Sequence, residues 1–156
     1  MNEITTLKTW VFGWFGNMMT YLTLFVVSFL AATLLPLGSE GLLLYDISQG
    51  HTVLLLWVFA TLGNTLGSML NYWLGLKGEV YLERKGHLSK EKMHKAREFF
   101  SKYGGWTLLL SWAPIIGDPL TFIAGVLGYN FKYFTLIVFV AKGLRYAVLC
   151  VILQGF

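Results

Sequence analysis

Long uncharged stretches dominate the hydrophobic pattern of this chain. No residue in the range 9–39 carries a formal charge, and only the titratable His51 interrupts a second apolar run over 47–76. Each run is longer than the ~20 residues that cross a bilayer as a helix. Two further apolar segments follow at 105–129 and 131–156. The pattern therefore predicts an all-α integral membrane protein, with residues 1–156 forming a single membrane domain.

Helix-breaking residues interrupt two of these segments, 10–48 and 105–129. Each contains a proline, then a glycine, and an acid four residues after the proline. The residues concerned are Pro36, Gly38 and Glu40 in the first segment and Pro114, Gly117, Asp118 and Pro119 in the second. Proline removes a backbone donor, so a helix that meets such a sequence at membrane depth should break or turn. Paired breaks in two halves of a chain are typical of transporter sites, and we predict two broken or re-entrant helical hairpins.

The segment 51–76 is expected to be an ordinary spanning helix with a face of small residues. Gly63 and Gly67 are four residues apart, so they share a face that lets another helix approach closely. Asn64 in the same run is a candidate for lining a polar path, although close helix packing alone also accounts for it. The last segment, 131–156, is long enough to span as well.

Basic residues are concentrated in the segment 77–104. The helical spacing of its apolar residues predicts an amphipathic helix on the membrane surface, and its basic excess favours the cytoplasmic side. Ser89 is expected to cap this helix, and Gly104 and Gly105 are expected to end it. In an alternative topology both broken segments cross the bilayer fully, which gives four spans.

The composition agrees with a membrane location and excludes several other classes of protein. Hydrophobic residues make up 56% of the chain and charged residues 13%, against roughly 25% charged in soluble domains. No base-reading motif accompanies the net charge of +4, so nucleic acid is not an expected partner. Cys150 is the single cysteine, and His87 and His94 have no cysteine or further histidine nearby. We therefore expect no metal site and no cofactor.

Charged residues inside the apolar segments are the strongest functional candidates. A charge at the bilayer centre costs at least ~2.5 to 3.5 kcal/mol, so such side chains should face a polar cavity or one another. We expect Glu40, Asp118 and Arg145 to converge and, with Lys142 and Asn64, to form a substrate or proton pathway. The alternatives are that Glu40 simply reaches the interface and that the two basic side chains extend toward one membrane surface.

Four stretches of the chain also carry a family pattern. They are SFLAATLLPLGSEGLLL, TLGNTLGSMLNYWLG, KYGGWTLLLSWAPIIGDPLTFIAGVLG and KGLRY. Together they cover nearly the whole chain and resemble the YqaA branch of the DedA family, whose members carry the VTT (SNARE-associated) domain. The resemblance implies a multi-pass protein of the bacterial cytoplasmic (inner) membrane, related to eukaryotic lipid scramblases, with two facing re-entrant hairpins. It also implies that the polar hairpin tips, here at Glu40 and Asp118, matter for transport.

In other DedA branches arginines flank the second hairpin's proline. Ser111 and Gly117 hold the corresponding places in this chain, and Arg145 is the candidate for the missing cation.

These observations predict a transporter of lipid or of a lipid carrier, flippase-like or scramblase-like, acting through the two hairpins. A proton-coupled transporter of small ions, with Glu40 or Asp118 as the titrating group, is one alternative, and a non-catalytic membrane scaffold is another. An enzyme is not expected, because the apolar segments offer neither a second deep aspartate nor a serine with a nearby histidine. Membrane lipids are the expected partners, and the sequence leaves open whether the protein forms a homo-oligomer.

Overall fold

A computed structural model of the chain describes residues 3–33, 38–84, 90–113 and 116–154. These residues are helical apart from short connections, and no strand occurs among them. Four residues singled out from the sequence lie outside the described ranges: Pro36, His87, Ser89 and Pro114.

The described residues form six α-helices and one short 3₁₀ helix. In chain order they are α1 (Glu3–Thr33), α2 (Ser39–Ser48), α3 (Val53–Arg84), α4 (Lys90–Leu109), the 3₁₀ helix (Leu110–Trp112), α5 (Gly117–Val126) and α6 (Phe131–Gln154). Three of them contain windows long and apolar enough to cross a membrane: Gly16–Thr33, Val53–Gly78 and Phe131–Ile152. The prediction of an all-α protein with membrane-spanning helices is therefore confirmed.

Helices α1 and α3 lie side by side and run in the same direction. At one end the backbone N–H of Thr52 donates to Tyr21 Oη at 3.2 Å, and at the other Asn71 Nδ2 donates to the Ala32 carbonyl at 2.7 Å. Between these contacts, a Cβ on Gly63 would overlap a backbone carbonyl of α1. Two helices in the same direction require a return segment between them, and α2 is that segment.

The second half of the fold repeats this plan with α4 and α5. Helix α4 and the 3₁₀ helix run alongside α6, the chain turns back, and α5 returns toward the start of α6. Helix α5 packs on α3 at glycines on both helices, because a Cβ on Gly75 would overlap the Phe122 carbonyl and one on Gly125 would overlap the Tyr72 carbonyl.

Helix α6 runs antiparallel to α3 and contacts both halves. Near its start the ring of Phe134 lies 4.8 Å from that of Tyr72, measured between centroids. Farther along, Trp57 Nε1 donates to the Gly143 carbonyl at 2.8 Å. Because Trp57 is near the start of α3 and Tyr72 is a little over halfway along it, the two helices cross the fold in opposite directions.

The prediction that Gly104 and Gly105 end the amphipathic helix is wrong. Helix α4 passes through both and ends at Leu109. A glycine costs only about 1 kcal/mol relative to alanine in a helix interior, and here the missing side chain makes room for a ring. A Cβ on Gly104 would lie 2.6 Å from the Phe100 ring and 3.1 Å from the Tyr129 ring. These glycines are packing positions, and the segment 77–104 is divided between the end of α3 and the start of α4.

We predict that Gly125→Ala destabilises the protein by about 1 to 3 kcal/mol, because the added methyl overlaps the α3 backbone and the two helices must separate. Thermal unfolding in mild detergent measures the effect as a lower midpoint. Gly16→Ala is the matched control, since a Cβ at that position of α1 meets nothing within 4 Å. Equal midpoints for the two variants would contradict the close α3–α5 packing.

Candidate functional site

The starts of α2 and α5 both face the middle of α6. Glu40 lies in the first turn of α2 and Asp118 in the first turn of α5. On α6, Lys142 and Arg145 are three residues apart and therefore share a helical face. Each acid meets one of these bases, so the two interrupted segments converge on a single face of a candidate span.

Lys142 and Asp118 form the more deeply buried ion pair. Lys142 Nζ donates to Asp118 Oδ1 at 2.8 Å, and the lysine side chain is only 1% exposed. The Thr121 hydroxyl donates to the Asp118 backbone carbonyl at 2.7 Å, one turn along α5. The lysine therefore does not extend toward a membrane surface, because its amine is held inside the protein by the aspartate.

Arg145 and Glu40 form the second pair, which is more accessible. Arg145 Nε donates to Glu40 Oε1 at 2.7 Å, and Nη2 donates to the same oxygen. The glutamate side chain is 38% exposed and the arginine 13%. Of the two acids expected to meet Arg145, Glu40 contacts it, whereas Asp118 pairs with Lys142; Glu40 is thus bound to α6. The two acids and two bases cancel, so this four-residue cluster carries no formal net charge.

A hydrogen-bonded network beside the second pair holds α2 against α6. Tyr146 is fully buried, and its hydroxyl lies 2.9 Å from Ser39 Oγ and accepts from Asn64 Nδ2 at 3.0 Å. Ser39 and Glu40 are neighbours on α2, and Tyr146 and Arg145 are neighbours on α6. Two adjacent contacts, Ser39–Tyr146 and Glu40–Arg145, therefore join these helices. Asn64 acts here as a donor within the fold. The sequence reasoning did not single out Tyr146, although a buried tyrosine hydroxyl needs a partner.

An apolar cavity of about 570 Å³ adjoins the Glu40–Arg145 pair. Its walls come from the end of α4 with the 3₁₀ helix and from α6. The apolar lining includes Leu109, Leu110, Trp112, Leu144 and Val148. All five are exposed on the outer surface of the fold, so the cavity is a side-facing groove. It combines one charged pair with a hydrocarbon-like wall.

The break residues that the structure describes shape both turns. Gly38 has φ +70°, a left-handed conformation that glycine adopts without strain, and it directly precedes α2. A Cβ on Gly117 would overlap the Ser111 carbonyl, so the chain can fold back tightly only with glycine there. Pro119 lies in the first turn of α5, where its missing N–H removes no helical hydrogen bond.

Gly63 and Gly67 lie on the face of α3 that contacts α1, as their spacing predicted. A Cβ on either would overlap a backbone carbonyl, of Phe25 or of Phe29. Within the described part of the chain, no group of three or more His, Cys, Asp or Glu side chains is placed to hold a metal ion.

These features define a helical membrane protein in which two interrupted segments each present an acid to a basic face of one spanning helix. The VTT domain family model matches residues 4–155, and the chain belongs to this family. It is 38% identical over 136 residues to the inner membrane protein YqaA of Escherichia coli, covering 85% of this chain and 91% of that protein. The YqaA of Shigella flexneri matches equally well. A protein of Haemophilus influenzae is 33% identical over 144 residues, 87% of each chain.

No solved structure matches the chain. The family model and the two YqaA relatives confirm the resemblance that the four sequence stretches carried, and both of these relatives are inner membrane proteins.

We predict that Asp118→Asn destabilises the protein by about 3 to 5 kcal/mol, because it leaves the Lys142 ammonium buried without a countercharge. The double variant Asp118→Asn with Lys142→Met should recover most of this loss, since neither charge remains. The matched control is Glu91→Gln, which breaks the Glu91–Lys95 pair on α4, where both side chains are more than 70% exposed. That change should cost at most about 1 kcal/mol.

Unfolding midpoints in detergent measure all three variants. If the double variant is no more stable than Asp118→Asn alone, the two charges do not stabilise the protein by neutralising each other.

We predict that Tyr146→Phe costs about 1 to 3 kcal/mol, because it leaves the buried Ser39 and Asn64 groups without their shared partner. Tyr45→Phe is the control, since the Tyr45 side chain is 60% exposed. The same unfolding measurement compares them, and equal stability of the two variants would show that the network does not hold α2 on α6.

Proposed function

We propose that this protein is a DedA-like inner-membrane transporter that moves lipid or a lipid carrier between leaflets, in the manner of a flippase or scramblase. The path is formed where two re-entrant hairpins, α1–α2 and α4–α5, face each other across α6. The observation that carries the proposal is the apolar groove that ends at the Glu40–Arg145 pair. A lipid needs both features, a surface for its chain and a polar place for its headgroup.

The lengths of the returning helices support hairpins that enter the membrane and turn back. Helices α2 and α5 have 10 residues each, which corresponds to about 15 Å, whereas the hydrocarbon core is about 30 Å thick. Neither return helix is long enough to cross alone. Their acid-bearing first turns then lie near the middle of the bilayer, beside the middle of α6.

The charge cluster lowers the free-energy barrier to the passage of a polar headgroup through the hydrocarbon core. In the proposed step a headgroup phosphate competes with the Glu40 carboxylate for the Arg145 guanidinium, which has the fork geometry that phosphate prefers. The lipid chain meanwhile lies along the groove wall at Leu110 and Leu144. The neighbouring Lys142–Asp118 pair is enclosed, and it stabilises the turn that starts α5 beside this path.

The orientation proposed for the protein has the basic start of α4 on the cytoplasmic side, as the positive-inside rule favours. This part of α4 is exposed and carries ion pairs along its surface, Glu91 with Lys95 at 2.8 Å and His94 with Glu98 at 3.6 Å. We propose that it forms an amphipathic surface segment that leads into the second hairpin. Membrane lipids are the proposed partners, and the mechanism involves no covalent chemistry.

A second candidate function is proton-coupled transport of a small ion. The observation that favours it is the buried Lys142–Asp118 pair, because a proton taken up by the carboxylate leaves the lysine charge uncompensated and drives a rearrangement. The lipid proposal and this candidate differ in what crosses the membrane, and both differ from a scaffold, which requires neither acid.

We predict that wild-type protein in liposomes exposes inner-leaflet fluorescent lipid to dithionite, so that quenching proceeds beyond the outer-leaflet fraction. Glu40→Gln should slow this second phase about tenfold, because Arg145 without its competing carboxylate retains the headgroup phosphate more tightly, by the equivalent of one charge-assisted hydrogen bond. Glu91→Gln on the exposed pair is the matched control and should behave as wild type. The double variant Asp118→Asn with Lys142→Met tests the other pair without an uncompensated charge.

Quenching that stops at the outer leaflet with wild-type protein, for both zwitterionic and anionic lipids, would exclude lipid transport. Repeating the experiment with a pH-sensitive dye inside the vesicles separates the second candidate. Ion-dependent proton flux that Glu40→Gln or the double variant abolishes would favour the ion carrier. Wild-type protein that moves neither lipid nor protons would leave the scaffold, whereas lipid transport at the wild-type rate in both acid-neutralising variants would exclude the acids from the lipid path.

A further inference from the structure

A second cavity, of about 810 Å³, lies near the start of α6. It is bounded by α4, the end of α5 and the turn that leads into α6. Its lining includes apolar residues, namely Leu76, Phe100 and Leu127, and polar residues, namely Arg97, Ser101 and Asn130. It shares no lining residue with the groove at Glu40 and Arg145, so it is a separate site.

Hydrogen bonds fix the wall that the α5–α6 turn contributes. Gly128 has φ +65° and its N–H donates to the Gly125 carbonyl at 3.0 Å, which closes α5. Tyr72 Oη donates to the Tyr129 carbonyl at 2.6 Å, and Asn130 Oδ1 accepts from the Lys132 backbone N–H at 3.0 Å, which caps α6. The shape of this wall is therefore set by the fold before any ligand arrives.

The cavity lies at the depth of lipid headgroups. The apolar window of α3 ends at Gly78 and that of α6 begins at Phe131, so both candidate spans reach the same membrane surface here. Aromatic rings surround this level, with Trp73 50% and Tyr133 62% exposed. Tryptophan and tyrosine are enriched where a membrane protein meets the headgroup region.

The charges around the cavity select an anion. Arg97 contributes to its lining, and an exposed lysine lies directly next to a lining position on each of three helices: Lys77 on α3, Lys102 on α4 and Lys132 on α6. Glu98 is the nearest acid along α4, and it contacts His94 at 3.6 Å on the exposed side of that helix. Basic pockets between helices at this depth attract anionic lipid headgroups.

We propose that this cavity binds the headgroup of an anionic phospholipid of the phosphatidylglycerol type from the adjacent leaflet. Arg97 contacts the phosphate through its planar guanidinium, and Ser101 and Asn130 contact the polar part of the headgroup. Leu76, Phe100 and Leu127 contact the glycerol backbone and the first carbons of the chains. This lipid stays at the surface and joins α4 to the α5–α6 turn, so the proposal does not depend on lipid transport.

The test is lipid binding to the full chain in detergent, measured by native mass spectrometry during titration with phosphatidylglycerol or phosphatidylcholine. Wild-type protein should retain phosphatidylglycerol about tenfold more tightly, because both lipids offer Arg97 a phosphate but the choline ammonium of phosphatidylcholine adds a positive charge that the basic surroundings of the cavity repel. Arg97→Gln should remove this preference. Lys95→Gln is the matched control, because it removes one exposed positive charge from the same helix at a position outside the cavity.

A second variant keeps the test independent of Arg97. Ser101→Asp places a negative charge on an exposed lining position, so it should abolish phosphatidylglycerol binding through repulsion while leaving phosphatidylcholine unaffected. Equal retention of the two lipids by wild type would overturn the proposal, as would an unchanged preference in Arg97→Gln and Ser101→Asp. Displacement of the lipid by the same concentration of inorganic phosphate would also overturn it, since the apolar wall would then contribute nothing.

Discussion

The requirement that charges in hydrocarbon be neutralised within the protein dominates this structure. Lys142 and Arg145 lie in the middle of the most apolar candidate span, where an unpaired charge is strongly unfavourable. Neither can be neutralised from its own helix, because α6 carries no acid. The acids come from α2 and α5, which must therefore begin at the depth of these bases. The positions at which the two segments are interrupted, before α2 and before α5, follow from this pairing.

The close packing of α1, α3 and α5 makes this arrangement geometrically accessible. Gly63 and Gly67 bring α1 against α3, and Gly75 and Gly125 bring α5 against α3, in each case with backbone in contact with backbone. The two return segments of 10 residues, α2 and α5, contact α6 through the acids in their first turns. Small residues thus act far from the charges but determine whether the acids can reach them, since in a membrane helices associate by packing and not by expulsion of water.

The two ion pairs differ in a way that bears on function. The Lys142–Asp118 pair is enclosed, whereas Glu40 is 38% exposed and borders the groove. A pair that is open to a ligand on one side can exchange partners without first exposing a buried charge. The enclosed pair instead stabilises the turn that starts α5. One arrangement of four charges therefore combines an enclosed pair with a pair that is open to the groove, and the Tyr146 network joins α2 to α6 next to the second pair.

Much of this protein is determined by its sequence alone. The apolar runs require a membrane. Within it they must form helices, because a backbone without its hydrogen bonds is too costly in lipid. The prolines and glycines in two of these runs interrupt the helices. The charges within those runs had to find one another because an unpaired charge is also costly in hydrocarbon. The tertiary structure decided what local patterns do not encode: which acid meets which base, that Tyr146 joins Ser39 to Asn64, and that α4 continues through Gly104 and Gly105. Each of these depends on residues distant along the chain, and the free energy of a contact is set by the partner that folding brings beside it.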